Sequence, residues 1–142
     1  MRNILSAILL SLALPAQASD VVIYVTEDEF DDATFAVESA IIGRGLVIDY
    51  VSHVGEMLAR TKDDVGGVKD IFDAADIFVF CSATLSRQVM EADPMNLVYC
   101  PYQIFVADQG GTVSIGYGTF PEGEMQIIQD LLDGIAREAA SQ

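Results

Sequence analysis

The stretch Ile77–Ala107, IFVFCSATLSRQVMEADPMNLVYCPYQIFVA, decides the fold of this chain and carries both of its cysteines, Cys81 and Cys100. Ile77-Phe78-Val79-Phe80 is an uninterrupted apolar run, typical of a strand buried on both faces. Ser82 is a good N-cap, so a helix is predicted from Ala83 to Ala92, and Asp93-Pro94 ends it. Leu97 to Ala107 reads as extended, with Pro101 demoting its first part to an edge or a bulge. The segment is therefore a strand–helix–strand unit with one thiol near each strand. If the two strands are parallel neighbours, both thiols stand at similar heights.

Outward from this unit the pattern repeats. Val21 to Val25 reads as a first strand. Thr26-x-x-Glu29 matches a capping box before a helix whose apolar positions are Phe30, Ala33, Val37, Ala40 and Ile41. Gly43-Arg44-Gly45 stops it. Leu46 to Val51 is a second strand, and Ser52 can cap a helix bearing Val54, Met57 and Leu58. Asp63 to Gly67 is a break, and Val68 to Ala75 is predicted as a short helix. Asp108-Gln109-Gly110-Gly111 is a hairpin turn into a strand over Thr112 to Tyr117. Pro121 opens a last helix, with a stripe at Met125, Ile128, Leu131, Leu132 and Ile135. The order predicts a two-layer α+β domain. It has a mixed sheet of about five strands, helices largely on one face, and a C-terminal hairpin followed by a helix.

Residues 1–18 read as a secretory signal. Arg2 is the positive n-region, Ile4 to Leu14 the apolar run, and Ala16-Gln17-Ala18 the cleavage motif. That run is shorter than the roughly 20 residues a spanning helix needs, and no later one approaches it. The expectation is cleavage near Ala18 and a single periplasmic or secreted domain over residues 19–142, not inserted in the membrane. The chain has 7 basic and 22 acidic residues, for a net charge of −15. Removing residues 1–18 takes away one Arg and no acid, which leaves 6 against 22, or −16. Such a balance excludes the basic face that nucleic acid or anionic lipid would need.

Cys81 falls where a strand ends and a helix begins, a position that favours the thiolate. A structural disulfide with Cys100 would close a loop of about 20 residues, worth roughly 3 kcal/mol. Two cysteines in a small exported domain favour such a bond over free thiols. The spacing is not Cys-x-x-Cys, and no Cys-x-x-Cys-His exists for covalent haem. His53, the single histidine, would need Cys81, Cys100, Met57 or Met90 as partners to hold a metal or a noncovalent haem. Arg87 pairs with Glu91 at i+4 or, turned the other way, stabilises a thiolate or an anionic ligand. The acidic run Glu27 to Asp32 lacks the form of an EF-hand loop and reads as capping and a solvated face.

The motif Phe80-Cys81-Ser82-Ala83-x-x-Ser86-Arg87-x-x-Met90-Glu91-Ala92-Asp93-Pro94-x-Asn96, followed by Cys100-Pro101-Tyr102-x-Ile104, resembles a proteobacterial branch of the family catalogued as domain of unknown function number 302. His53-x-x-x-Met57-Leu58-x-Arg60-Thr61 and Gly66 look like the family's preceding helix. The resemblance spans about residues 30 to 140. It implies a compact α+β domain that associates as a homodimer, with no established catalytic residues. It also implies that the thiols belong to this branch rather than to the fold.

Three readings remain open at this point. The first is a non-catalytic module holding a small ligand or redox cofactor near Cys81, Cys100 and His53, with noncovalent haem as one candidate. The second is a structural or interaction dimer, meeting itself or an exported partner protein, with a Cys81–Cys100 disulfide. The third is a thiol-dependent enzyme using Cys81 as nucleophile.

Overall fold

Two glycines set the chain reversal on which the sheet is built. Gly110 and Gly111 both take positive φ, +67° and +79°, the backbone that a tight two-residue hairpin demands and side chains resist. They join β4 (Tyr102–Gln109) to β5 (Thr112–Gly118), with Gln109 opposite Thr112. The computed structural model describes residues 20–141, so the expected signal over residues 1–18 lies outside the described residues. Before the hairpin come β1 (Val21–Thr26), α1 (Phe30–Gly43), β2 (Val47–Ser52), α2 (Val54–Thr61), β3 (Ala74–Cys81), α3 (Ala83–Ala92) and a 3-10 turn (Pro94–Tyr99). After it comes α4 (Gln126–Ala139).

The five strands form one sheet in the order β1-β5-β4-β3-β2. Each of the four neighbouring pairs is antiparallel. The α+β class, the five strands and the closing hairpin and helix match the sequence reading. The parallel relation suggested by the helical connections lies between β1 and β2. These run the same way but occupy opposite edges, so α1 crosses the sheet without making a parallel ladder. In particular β3 and β4 are antiparallel partners, with Phe80 opposite Tyr102, and not the parallel neighbours supposed for the cysteine unit. A connection as short as α3 and one 3-10 turn returns the chain beside β3 in the opposite sense.

Alternation along the strands decides which side is covered. Phe78 and Phe80, Tyr102, Ile104 and Val106, and Val113, Ile115 and Tyr117 share one face and are buried. Against them lie the stripes of α1 (Ala33, Ala36, Val37, Ala40, Ile41) and α4 (Ile128, Leu132, Ile135, Ala136, Ala139). The small residues of α1 let it pass close over the sheet and beside α4. Asp133 on α4 accepts hydrogen bonds at Oδ1 from Tyr24 of β1 and, at 2.8 Å, from Tyr117 of β5. Arg137 closes its other oxygen at 2.7 Å. This network ties α4 to the β1–β5 edge, and its hydrogen bonds hold the Asp133 carboxyl below its usual range.

Several local expectations are corrected: α4 begins at Gln126 rather than at Pro121, and the N-cap of α2 is His53 rather than Ser52. The capping box before α1 is not made: Glu29 is the N-cap without a side-chain bond, and Thr26 Oγ1 instead meets Asp28. Residues 68–73 form no helix, and Ala74 and Ala75 already belong to β3. The backbone amide of Asp73 donates to the Asp108 carbonyl, extending the ladder; ladder pairing outweighs a weak local helix preference. Residues 97–99, expected to be extended, instead close a 3-10 turn over Pro94–Tyr99. Asp93 caps Met95 at 2.9 Å, Pro94 opens the turn, and Asn96 donates to the Val89 carbonyl at 2.8 Å. β4 therefore begins at Tyr102, immediately after a cis Cys100-Pro101 bond.

Candidate functional site

β3 ends at Cys81, and the next residue, Ser82, caps α3 by accepting from the Leu85 amide at 3.3 Å. Cys100 closes the 3-10 turn on the way into β4. The β3–β4 ladder runs to Phe80 and Tyr102, so the two cysteines face each other just beyond its last rung. Their Sγ atoms lie 2.6 Å apart, and both are partly buried. Thus the sequence-predicted neighbours are brought together, although by an antiparallel rather than a parallel pairing.

The electrostatics oppose the thiolate expected from the helix start. Burial, and then the contact with Cys100, push the Cys81 thiol up to about 11. The Tyr102 backbone amide pulls the other way and the Asp49 charge adds to the rise. The cause is geometric. Cys81 precedes the N-cap and its sulfur turns to Cys100, so it gains little from the amides of the first turn while losing water.

His53 stands elsewhere. It is the N-cap of α2, and its Nδ1 lies 2.8 Å from Asp76 Oδ1. Asp76 is five residues before Cys81 on the same strand, roughly 17 Å away at ~3.3 Å per residue. The cysteines and the histidine thus occupy opposite ends of β3 and share no site. Asp76 raises the His53 pKa above 6.5, first by the hydrogen bond and then by its charge, with Glu56 adding to the effect. Around His53 lies an open cleft of about 440 Å³, walled by Phe30, Gly55 and Ala59 and rimmed by Asp31, Glu56 and Asp73. Gly55 makes this junction: an added Cβ would sit 2.5 Å from the Ala75 nitrogen, so only glycine lets α2 lie this close on β3.

Arg87 takes the surface pairing. Its Nε meets Glu91 at 2.8 Å, and both side chains are exposed. Met90 is packed at the core margin, whereas Met57 and Met95 are exposed. Among the described residues, no three His, Cys, Asp or Glu side chains converge as a metal site. Sequence reasoning missed Asp76 as the partner of His53. The signal was there: an acid directly before the apolar run Ile77–Phe80 is costly to bury unless something pairs with it. It also missed Ser86, whose hydroxyl meets Tyr102 at 2.9 Å and pins α3 beside the cysteine pair.

These features define a two-layer α+β domain with an antiparallel five-stranded sheet and a cysteine pair at the end of its ladder. Residues 22–142 match the family described as "Domain of unknown function DUF302", and the chain belongs to that family. A crystal structure of the uncharacterized conserved protein DUF302 from Bacillus stearothermophilus has the same fold. The TM-score is 0.62 at 14% identity, over 85% of this chain and 93% of that one. Comparison with curated proteins finds no match.

Proposed function

We propose that the mature chain is an exported, non-catalytic interaction module that works as a homodimer and is braced by a Cys81–Cys100 disulfide. The observation that carries the brace is the meeting of the two sulfurs at 2.6 Å beyond the last rung of β3–β4. In an oxidising compartment the two thiols give up two protons and two electrons to a thiol oxidant, and one S–S bond replaces two S–H bonds. The bond then closes the loop that holds α3 and the 3-10 turn. The raised Cys81 pKa supports this role over nucleophilic catalysis, which needs the thiolate. The test is the intact mass of protein taken from the exporting compartment, with and without reduction before alkylation. Labelling only after reduction is expected; two thiols labelled without reductant would remove the brace.

A small-ligand role is favoured by one observation, the His53 cleft, and no longer by a composite of histidine and cysteines. Noncovalent haem is a poor match for that cleft. The imidazole leaves Nε2 free for an iron, but the carboxylates of Asp31, Glu56 and Asp73 on its rim would oppose the haem propionates. Titration with haem, read at the Soret band, is expected to show no His53-dependent binding.

A further inference from the structure

The two sulfurs of the cysteine pair differ in how a partner can reach them. Cys81 is the last residue of β3, opposite Val47 of β2, with the buried Phe80 and Ser82 on either side of it in the chain. Cys100 has open chain on both sides. Before it, Met95, Leu97 and Val98 are 67%, 63% and 68% exposed, and Pro101 after it is exposed. A groove of about 240 Å³ is walled by Val98, Tyr99, Pro101, Gln103 and Phe120, so both chain neighbours of Cys100 line it. The Tyr99 and Phe120 rings meet edge to face, with 5.7 Å between their centroids. Among the described residues, none that lines this groove is charged, in a chain with 22 acids.

We propose that Cys100 is the entry point for thiol–disulfide exchange with a polypeptide disulfide flanked by uncharged, apolar residues, and that Cys81 is the resolving thiol. The proposal rests on the reading of the pair as a brace and deepens it, by saying how the brace is closed and opened. In closure, Cys100 gives its proton to solvent and its sulfur attacks one sulfur of the partner's S–S bond. A mixed disulfide forms and one partner thiolate leaves. Cys81, whose sulfur lies 2.6 Å from that of Cys100, then gives up its proton and attacks the Cys100 sulfur. The second partner thiolate leaves. The chain has lost two protons and two electrons, and the partner's disulfide has become two thiols. In opening, a partner thiolate attacks Cys100, and Cys81 leaves onto the backbone amide of Tyr102.

Reach selects the sulfur, because exchange depends on which sulfur an attacking thiolate can approach. The Cys81 thiol, raised by burial and by its contact with Cys100, is a poor first nucleophile. It suits a second step in which the attack is intramolecular. Charge selects the partner. Glutathione disulfide is an anion, which a chain at −15 repels, and the groove offers it no cation. A polypeptide with aliphatic or aromatic residues beside its cysteine can lay them against Leu97, Val98 and the Tyr99–Phe120 pair.

The experiment follows the reduced mature chain, Cys81→Ser and Cys100→Ser with dipyridyl disulfide, which releases a coloured thiopyridone. The wild type is expected to release two thiopyridones and keep no adduct, because Cys81 closes on Cys100. Cys81→Ser should release one and hold a mixed disulfide at Cys100, seen by mass. Cys100→Ser should react at least about tenfold more slowly than Cys81→Ser, since its remaining thiol is the hindered one. Limited alkylation of the reduced wild type, mapped by peptide mass, checks the order without a substitution, and Cys100 should be labelled first. Cys81 labelled first, or equal rates in the two variants, would overturn the proposal. The partner is tested with disulfide-linked peptide dimers bearing leucine or glutamate on both sides of the cysteine. The wild type should prefer the leucine dimer by at least about tenfold, and Leu97→Asp or Val98→Asp, at exposed positions, should erase most of that preference. No preference in the wild type, a preference that both variants keep, or glutathione disulfide reacting as fast as the leucine dimer would overturn the choice of partner. An internal disulfide in the exported protein, with Cys81 reacting first once reduced, would overturn the exchange site alone; free thiols in the exported protein would overturn the brace.

Discussion

The two ends of β3 present the same strand with opposite chemistry. At one end, Cys81 and Cys100 meet beyond the last rung of the ladder, partly buried and shielded from water. At the other, Asp76 meets His53 at 2.8 Å beside an open, carboxylate-rimmed cleft. The buried end suppresses the charged form of its group and suits a covalent brace. The exposed end promotes the charged form of its group and gains little from it, because water screens the pair. Burial, rather than residue type, separates a structural pair from a titrating one.

That contrast breaks first at the cysteine end, where the largest effect is expected. Cys81→Ser or Cys100→Ser should cost the oxidised protein about 3 kcal/mol, the chain-entropy value for a loop of about 20 residues. Denaturant midpoints measure it, and the gap from wild type should close when both are reduced. An equal gap under reduction would show that packing, not the bond, stabilises this end.

The next largest effect is kinetic. With its pKa pushed up to about 11, the reduced Cys81 holds far less thiolate at neutral pH than an ordinary cysteine near 8.5. Alkylation there should be slower by roughly a hundredfold or more, rising tenfold for each pH unit up to about 11. Labelling faster than that of a free thiol would restore the nucleophile reading and dissolve the difference between the ends.

At the His53 end the expected effects are smaller. Gly55→Ala forces a Cβ against the β3 backbone at Ala75, and should destabilise by about 1–3 kcal/mol through local displacement of α2. His53 itself sharpens the comparison by sign rather than size. Its folded pKa lies above 6.5, chiefly through the Asp76 hydrogen bond. The stability it contributes is therefore complete below pH 6.5 and fades as pH rises through the folded value. His53→Gln should flatten this slope, and Asp76→Asn should return the ring's titration, followed by NMR, toward 6.5. A His53 that titrates unchanged in Asp76→Asn would show that the pairing is absent in solution.

Much of the fold was legible because it rests on periodicity. The α1 stripe from Ala33 to Ile41 and the α4 stripe from Met125 to Ile135 were readable as buried faces. The Gly110-Gly111 turn was equally readable, since positive φ leaves few residues to choose from. The misread segments are those where local preference met a ladder or a turn. Residues 74 and 75 were drawn into β3, and residues 97–99 were held in a turn stabilised by Asp93 and Asn96. Of the candidate site, the cysteine pairing was visible as a possibility of height along two strands. The His53–Asp76 contact was not, because its partners are 23 residues apart and no pattern links them.

By itself, then, the sequence determined the element types, the buried stripes and the acidity of the chain, all of which follow from short-range spacing and composition. Only the tertiary structure decided the strand order, the antiparallel meeting of Cys81 with Cys100, the separation of His53 from both, and the uncharged groove beside Cys100. Those depend on which strands become neighbours. Neighbours in a sheet are chosen by the joint burial of every apolar face, a sum over the whole chain that no local window contains.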